Sequence, residues 1–152
     1  MIYTFQKGQY TISTDKSLLQ FDVIHQFLST SYWSPEIPME LVQRAAANSL
    51  AFGIYHTNKQ IGYARVISDY TSFAYLADVF VIESERGKGL SKWLMECILQ
   101  VPELQRLRRW LLVTKDAHGL YSQFGFTPLD NPDGMMQIAR PNIYLEKKEN
   151  AN

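Results

Sequence analysis

Residues 79–91 read Val-Phe-Val-Ile-Glu-Ser-Glu-Arg-Gly-Lys-Gly-Leu-Ser, the end of an apolar strand followed by a turn with two glycines. Apolar side chains at helical spacing follow over residues 90–99, so a helix is predicted to begin just beyond the second glycine. A helix N-terminus leaves backbone N–H groups unpaired and carries a partial positive charge, and both favour a bound phosphate. Glycine has no Cβ to block a diphosphate, and Arg86 and Lys88 add positive charge. The stretch therefore predicts a site for a phosphate-bearing ligand.

The segments on either side of this turn alternate between extended and helical patterns. Residues 73–82 are almost continuously apolar, which is typical of a central strand buried on both faces. Further strands are predicted at residues 10–13, 50–56, 60–67 and 110–113 and, as a split final strand, at 135–138 and 142–145; helices are predicted at 22–28, 38–48, 90–99 and 117–124. The resulting order, β-α-α-β-β-β-α-β-α-β, predicts an α/β fold with a mixed central sheet flanked by helices.

The length and charge of the chain restrict its class. The 152 residues fit one domain, which we expect to span residues 1–146, with a polar C-terminal tail at 147–152. Fifteen basic residues balance fifteen acidic ones, which argues against a nucleic-acid-binding role. No apolar run approaches the ~18 residues of a membrane span, and residues 1–10 lack the apolar core of a signal peptide. We therefore expect no nucleic-acid partner, no membrane insertion, and either a monomer or a homodimer.

Cysteine and histidine usage indicates the compartment and argues against several kinds of site. The single cysteine, Cys97, rules out an intramolecular disulfide, so a reducing, cytoplasmic compartment is expected. It falls in the apolar pattern of the helix after the glycine turn, which is typical of a buried side chain. The three histidines, His25, His56 and His118, lie far apart and show no metal-ligand spacing, so we predict no metal site.

The glycine turn does not match the two commonest nucleotide-binding patterns. A P-loop requires Gly-x-x-x-x-Gly-Lys-Ser/Thr, which is absent here. A dinucleotide fingerprint requires a third glycine after Gly87-Lys88-Gly89, and the chain has none at that spacing. For the turn taken alone, an ordinary strand-to-helix connection with exposed charges is the alternative interpretation.

Two stretches of the chain resemble the motifs of one enzyme family. Arg86-Gly87-Lys88-Gly89-Leu90-Ser91 resembles the coenzyme A signature of the GNAT superfamily of N-acetyltransferases, Arg/Gln-x-x-Gly-x-Gly/Ala, with Ser91 in place of the last glycine or alanine. The family's second motif, Ala-x-x-x-Tyr-x-x-x-Gly-Phe, is matched at the expected spacing by Ala117, Tyr121, Gly125 and Phe126. Glu83 stands where a proline is common, and Lys115-Asp116 where an asparagine often occurs. The resemblance covers residues 50–126, and the N-terminal third matches in layout only.

The resemblance implies a GNAT-like fold and acetyl-coenzyme A as the acyl donor. In that family the loop amides bind the pyrophosphate, and the preceding strand pairs with the pantetheine arm. The strand contacts would then come from Phe80 and Val81, and the cradle from Arg86, Gly87, Lys88, Gly89, Leu90 and Ser91. Tyr121, which taken alone is a buried packing aromatic, would protonate the departing thiolate, since a phenol with a pKa of about 10 is protonated at neutral pH.

The chemistry implied by the resemblance needs few residues. Direct attack of an amine on a bound thioester requires no covalent nucleophile, so the protein supplies mainly proximity and proton transfer. A backbone N–H near Val81 would polarise the thioester carbonyl. Asp78 is an unexpected acid in an apolar strand, where a buried carboxylate has a raised pKa and can relay a proton. A hydrogen-bonded structural acid is the other interpretation of Asp78, and water is a second candidate base.

Four aromatic residues are candidates for binding the acceptor, with core or loop packing as the alternative. They are Tyr32 and Trp33, in the loop after the first helix, and Phe73 and Tyr75, on the long strand. No acidic stretch suggests a groove for a polyamine or a histone tail, so a small-molecule acceptor is favoured.

The sequence thus predicts an acetyl-CoA-dependent N-acetyltransferase that acts on a primary amine by direct attack, with Tyr121 as general acid. Two other classes of protein remain open. A non-catalytic acyl-CoA-binding sensor or interaction module would keep the glycine turn without needing Tyr121. A nucleotide-binding domain would use the same turn, although the fingerprints of such domains are missing.

Overall fold

The computed structural model of the chain describes residues 1–146, and its centre is one six-stranded sheet. The strands lie side by side in chain order, each antiparallel to the next except for the last pair, which is parallel. They are β1 (Thr4–Lys7), β2 (Tyr10–Ser13), β3 (Leu50–His56), β4 (Lys59–Ser68), β5 (Phe73–Val81) and β6 (Arg109–Leu111). The helices are α1 (Phe21–Ser29), α2 (Met39–Ala47), α3 (Leu90–Leu99), α4 (His118–Ser122) and α5 (Ile143–Glu146).

Helices cover both faces of the sheet, and each face has its own core. On one face, α1 and α2 bury residues four positions apart, Ile24 with Leu28 and Val42 with Ala46, because that spacing places both side chains on one side of a helix. On the other face, α3 is buried nearly all round and packs with α4 against β3, β4 and β5. Each fully buried aliphatic side chain contributes about 1.5–3 kcal/mol, so these two cores hold the sheet and helices together.

A β-bulge interrupts the pairing of the two longest strands. From one regular pair to the next, β4 advances two residues, from Tyr63 to Arg65, while β5 spans three, between Phe80 and Ala77. The extra residue lies at Asp78, whose φ of 57° is in the left-handed region. As a result the alternation of β5 is reset, and Phe80 packs on the α1–α2 face.

The parallel strand β6 pairs with only the first three residues of β5. Their pairing covers only Phe73 to Tyr75 opposite Arg109 to Leu111. Because β5 continues to Val81, a further six residues at about 3.3 Å each extend beyond the last pair, or roughly 20 Å. This stretch of β5, which pairs with β4 but not with β6, forms one wall of a cleft, which we call the β5–β6 cleft.

The α/β fold with a mixed sheet and flanking helices is confirmed, and α3 has the predicted bounds. One strand was missed: β1 is a short edge strand with mostly exposed side chains, so it has no apolar alternation to reveal it. Strand β6 ends at Leu111, two residues before its predicted end, because its pairing with β5 stops there. Within the described residues, no helix is both long and apolar enough to cross a lipid bilayer.

The split final strand predicted at residues 135–138 and 142–145 is wrong. Residues 135–140 have no regular structure, and the short helix α5 begins at Ile143. Met136 and Ile138 are 96% and 94% exposed, so the apolar spacing that suggested a strand has no core face to bury. The predicted polar tail at residues 147–152 lies outside the described residues.

Candidate active site

Residues 82–89 connect β5 to α3, and we call this segment the glycine loop. It leaves open space at the glycines, where the sequence predicted a phosphate site. Gly87 and Gly89 have φ values of 78° and 76°, which residues with a Cβ rarely adopt. Apart from the glycine itself and its chain neighbours, no residue has an atom within 4 Å of the position that a Cβ would take at either glycine. Gly89 also precedes α3 as its N-cap without a side-chain cap, so the first amides of the helix are left for another partner.

A cavity of about 230 Å³ lies against this loop. It is lined by Val81, Glu85, Arg86, Gly87, Gly89, Leu90, Ser91, Lys92 and Leu120. The cavity lining joins the end of β5, the glycine loop and the first turn of α3 to Leu120 on α4, a residue that is distant from them in sequence. Lys92 was missed by the sequence analysis, although its place one residue beyond Ser91 on the same helix turn was a usable signal.

The two predicted cationic side chains of the loop have protein partners. Arg86 donates from Nε to the carbonyl oxygen of Val81 at 2.9 Å, which ties the loop back onto β5. Lys88 donates from Nζ to Glu85 at 3.0 Å and to the Tyr10 hydroxyl at 3.3 Å. The ammonium group of Lys88 therefore points to the β2 side, and Lys88 does not line the cavity.

Phe80 and Val81, the two residues predicted to contact the pantetheine arm, differ in where their backbone N–H groups point. Ile82 donates its N–H to the carbonyl oxygen of Ile61 on β4 at 2.9 Å. Because hydrogen-bonded pairs recur every two residues along antiparallel strands, the backbone of Phe80 is also hydrogen-bonded to β4. The backbone N–H of Val81, between them, points away from β4 and toward the cleft. The backbone of Phe80 is thus already paired, and its ring stacks on Phe27 with 4.0 Å between the ring centroids.

Tyr121 is buried on α4, one residue after the cavity-lining Leu120. Its side chain is 8% exposed, and its ring makes an edge contact with Phe126, 5.9 Å between the centroids. Burial, and to a smaller extent the neighbouring Tyr32, raises the pKa of Tyr121 to about 12. The phenol therefore keeps its proton throughout the neutral range and can act as a proton donor.

The loop between α1 and α2, residues 30–38, extends toward the bulge of β5. Trp33 donates from Nε1 to Oδ1 of Asp78 at 2.9 Å, and the rings of Trp33 and Tyr32 meet edge to face at 5.0 Å. Lys115 lies over the Tyr32 ring, 5.5 Å from its centroid, on the segment leading into α4. The structure thus brings Tyr32 and Trp33 together with Asp78 and Tyr121.

The other two predicted acceptor residues lie farther from this group. Phe73 and Tyr75 belong to the part of β5 that is still paired with β6. Phe73 lies five positions before Asp78, or roughly 17 Å along the extended strand, and is 37% exposed at the far end. Tyr75, three residues from Asp78, stands where the cleft begins.

Asp78 is held by two side chains that the sequence did not connect to it. Trp33 occupies Oδ1, and Arg65 on β4 donates from Nε to Oδ2 at 2.5 Å. The carboxylate side chain is 8% exposed and the guanidinium side chain 18%, so the pair is largely shielded from water. No local pattern links residues 33, 65 and 78, because only the bulge and the loop after α1 bring them together.

Comparisons with known proteins agree with this geometry. The profile of the acetyltransferase (GNAT) family matches residues 20–126. A candidate acetyltransferase of Gibberella zeae, FG08082, is 28% identical, with 88% of each chain covered. The crystal structure of a candidate GNAT acetyltransferase from Xanthomonas campestris pv. campestris is 48% identical, with 91% of this chain and 99% of that chain covered and a TM-score of 0.88.

A more distant structure shares the fold alone. It is a candidate acetyltransferase of Clostridium acetobutylicum, crystallised with acetyl-CoA, at 15% identity and a TM-score of 0.60 over 91% of this chain and 96% of that chain. The family profile covers more than half of the chain, and the Xanthomonas structure matches nearly all of it at high identity. The chain therefore belongs to the GNAT family of acetyltransferases.

Proposed function

We propose that this acetyltransferase moves the acetyl group of acetyl-CoA onto the primary amine of a small molecule. The observation that carries the proposal is the β5–β6 cleft, which opens after Tyr75 and leads to a loop with two unobstructed glycines. Tyr121 is buried on the helix that follows β6, next to a residue that lines the loop cavity. Candidates for a phosphate site, a strand amide free to bind the ligand and a proton donor thus lie within one region.

The residues present fit coenzyme A. Its diphosphate would be held by the amides of the glycine loop and the first turn of α3, where Gly87 and Gly89 leave open space. The Val81 N–H, which points away from β4, would pair with the pantetheine arm or with the acyl carbonyl. Arg86 and Lys92, both on the cavity wall, are candidates for a further charge contact with phosphate.

Two groups of the chain would assist the transfer itself. Acetyl-CoA supplies an acetyl group that is activated as a thioester. The Val81 N–H would stabilise the negative charge that develops on the carbonyl oxygen as the amine attacks. Tyr121, protonated at neutral pH, would donate its proton to the sulfur as the thiolate leaves. Cys97 is unsuited to covalent chemistry, because burial raises the pKa of its thiol to about 12.

Asp78 is better suited to positioning than to taking the proton of the amine. Both of its oxygens already accept hydrogen bonds, from Trp33 and Arg65, so each is committed to the loop or to β4. An acceptor amine beside this pair would lose its proton to water that reaches the exposed Tyr32 side of the loop. Asp78 would then fix the position of the Trp33 ring beside the acceptor.

Ligand-induced stabilisation tests the donor. We expect acetyl-CoA at about 100 times its Kd to stabilise the protein by about 2.7 kcal/mol, which raises Tm by roughly 5–10 °C in a domain of this size. ATP and NAD at the same concentration should leave Tm unchanged, because the loop lacks the fingerprints of both. An acceptor-amine screen that follows thiol release then tests turnover. Stabilisation without turnover on any amine would favour the acyl-CoA sensor, and no stabilisation would refute the proposed donor.

The variant Asp78→Asn separates positioning from base catalysis. Asparagine still accepts the Trp33 N–H, so KM for the acceptor should rise only about fivefold, the effect of roughly 1 kcal/mol. Loss of the shielded ion pair leaves Arg65 without its counter-ion and should lower the free energy of unfolding by about 3–5 kcal/mol. The pH dependence of kcat should keep its shape. If Asp78 is the base, kcat falls by about 100-fold or more and the acidic limb of the pH–rate profile disappears. Steady-state kinetics across pH distinguish the two.

A further inference from the structure

One acidic side chain lies inside the glycine loop and receives three hydrogen bonds. Glu85 accepts from the Tyr10 hydroxyl at 2.7 Å, from Lys88 Nζ at 3.0 Å and from His56 Nδ1 at 3.0 Å. The Glu85 side chain is only 12% exposed, although it sits on a surface loop. We call these four residues, Tyr10, His56, Glu85 and Lys88, the Glu85 cluster.

The cluster connects the glycine loop, which follows β5, to strands β2 and β3 of the same sheet. Tyr10 on β2 and His56 on β3 are direct cross-strand partners, and their rings stack with 4.4 Å between the centroids. Gln9 adds a contact from its Oε1 to His56 Nε2 at 3.2 Å. Tyr10 and Glu85 are far apart in sequence, so the hydrogen bonds from Tyr10 and His56 to Glu85 attach the glycine loop to the paired strands β2 and β3.

The negative charge of Glu85 argues against a direct contact with the phosphates. A carboxylate on the wall of a cavity that receives a diphosphate repels that ligand, so its Coulomb effect on binding is unfavourable. Hydrogen bonds from Tyr10, then Lys88, then His56 lower the pKa of Glu85 to about 2, so the group stays ionised at physiological pH. Any favourable effect of Glu85 on coenzyme binding must therefore come from the parts of the loop that its carboxylate holds in place.

We propose that Glu85 is a positioning residue for the coenzyme, which holds the glycine loop in its binding conformation by anchoring it to Tyr10 and His56. The inference rests on the proposed use of acetyl-CoA. Lys88 contributes to the same anchor, since its ammonium group contacts Glu85 and Tyr10 and does not line the cavity. In this arrangement the phosphates meet backbone amides that are already ordered before the ligand arrives.

The sign of one substitution separates anchoring from charge repulsion. Glu85→Gln removes a negative charge beside the diphosphate, so electrostatics alone predicts tighter binding of coenzyme A. Anchoring predicts the opposite: if the binding-competent loop falls to about one fifth of the population, the apparent affinity falls about fivefold. The matched control is Glu83→Gln, which removes the same charge from the same short helix, Glu83–Glu85, where the Glu83 side chain is exposed.

The experiment measures coenzyme A affinity by calorimetry in the wild type and three variants. We expect Glu85→Gln to bind about fivefold more weakly, Tyr10→Phe about threefold more weakly, and Glu83→Gln as tightly as the wild type or tighter. In steady-state kinetics, KM for acetyl-CoA should rise for Glu85→Gln while KM for the acceptor holds. Equal or tighter binding by both Glu85→Gln and Tyr10→Phe would overturn the inference.

Hydrogen exchange provides a readout that needs no ligand. Amides of residues 86–91 should exchange faster in Glu85→Gln and in Tyr10→Phe than in Glu83→Gln, because the anchored loop opens less often. If exchange is the same in all of them, the anchoring idea is wrong even where the wild type binds coenzyme A. If the wild type does not bind coenzyme A at all, the proposed function fails, and the inference fails with it.

Discussion

Replacing Tyr121 with phenylalanine is expected to lower kcat about 100-fold while leaving the Kd for coenzyme A within about twofold of the wild type. The ring stays, so its packing against Phe126 in the α3-side core is preserved. Only the hydroxyl proton is lost, and general acid catalysis of thiolate departure is lost with it. The measurement combines thiol release under saturating acetyl-CoA with calorimetric binding of coenzyme A.

The pKa of Tyr121 adds a pH test to this prediction. Because burial raises that pKa to about 12, ionisation of Tyr121 should cause no alkaline decline of wild-type kcat below about pH 11. An ordinary exposed phenol would begin to lose its proton at about pH 9 and would be half ionised at about pH 10. A decline centred near pH 10 would indicate an acid other than the buried Tyr121.

A second tyrosine provides the matched control for Tyr121→Phe. Tyr55 is also buried, 5% exposed, and within the described residues its hydroxyl has no hydrogen-bond partner. Tyr55→Phe removes the same atom from a similar environment on β3, so it should leave kcat unchanged and slightly stabilise the protein. Turnover of Tyr121→Phe within twofold of the wild type would remove Tyr121 from the mechanism.

Replacing Gly89 with alanine is expected to weaken coenzyme A binding by about 10-fold or more. The φ of 76° at Gly89 costs any residue with a Cβ roughly 1–2 kcal/mol, so the loop tends to leave its present conformation. The new methyl group would also occupy the open space beside the first amides of α3. Calorimetry with coenzyme A measures the loss, and chemical denaturation measures the accompanying change in the free energy of unfolding.

Gly8 separates strain from binding in this experiment. It has a similar φ of 61° and equally open space, but it lies in the turn between β1 and β2. Gly8→Ala should therefore cost a similar amount of stability and leave coenzyme A affinity unchanged. Loss of affinity in both variants would mean that binding reports general destabilisation, and unchanged affinity in Gly89→Ala would remove that turn from the site.

The sequence was sufficient wherever a signal is local. Apolar spacing of 3.6 residues identified α3 to the residue, because Leu90, Leu94, Cys97 and Ile98 recur on one side of a helix and all are buried. Similarly, the helix predicted to start at Pro38 begins one residue later, with Pro38 as the N-cap of α2, since proline suits a helix start and no interior position. The two-residue spacing of a strand misled at Met136 and Ile138, whose side chains are exposed, because local spacing does not say whether a partner surface is available.

By itself, then, the sequence determined the α/β class, the strand–loop–helix unit around the glycines and the place of Tyr121 in a motif. Only the tertiary structure decided that β5 bulges at Asp78, that β5 and β6 separate after Tyr75, and that Glu85 meets Tyr10 and His56. The physical reason is range. Periodicity and turn chemistry depend on residues within one or two turns of each other, whereas register, bulges and buried polar partners depend on which distant strands pair and on how their side chains share hydrogen bonds.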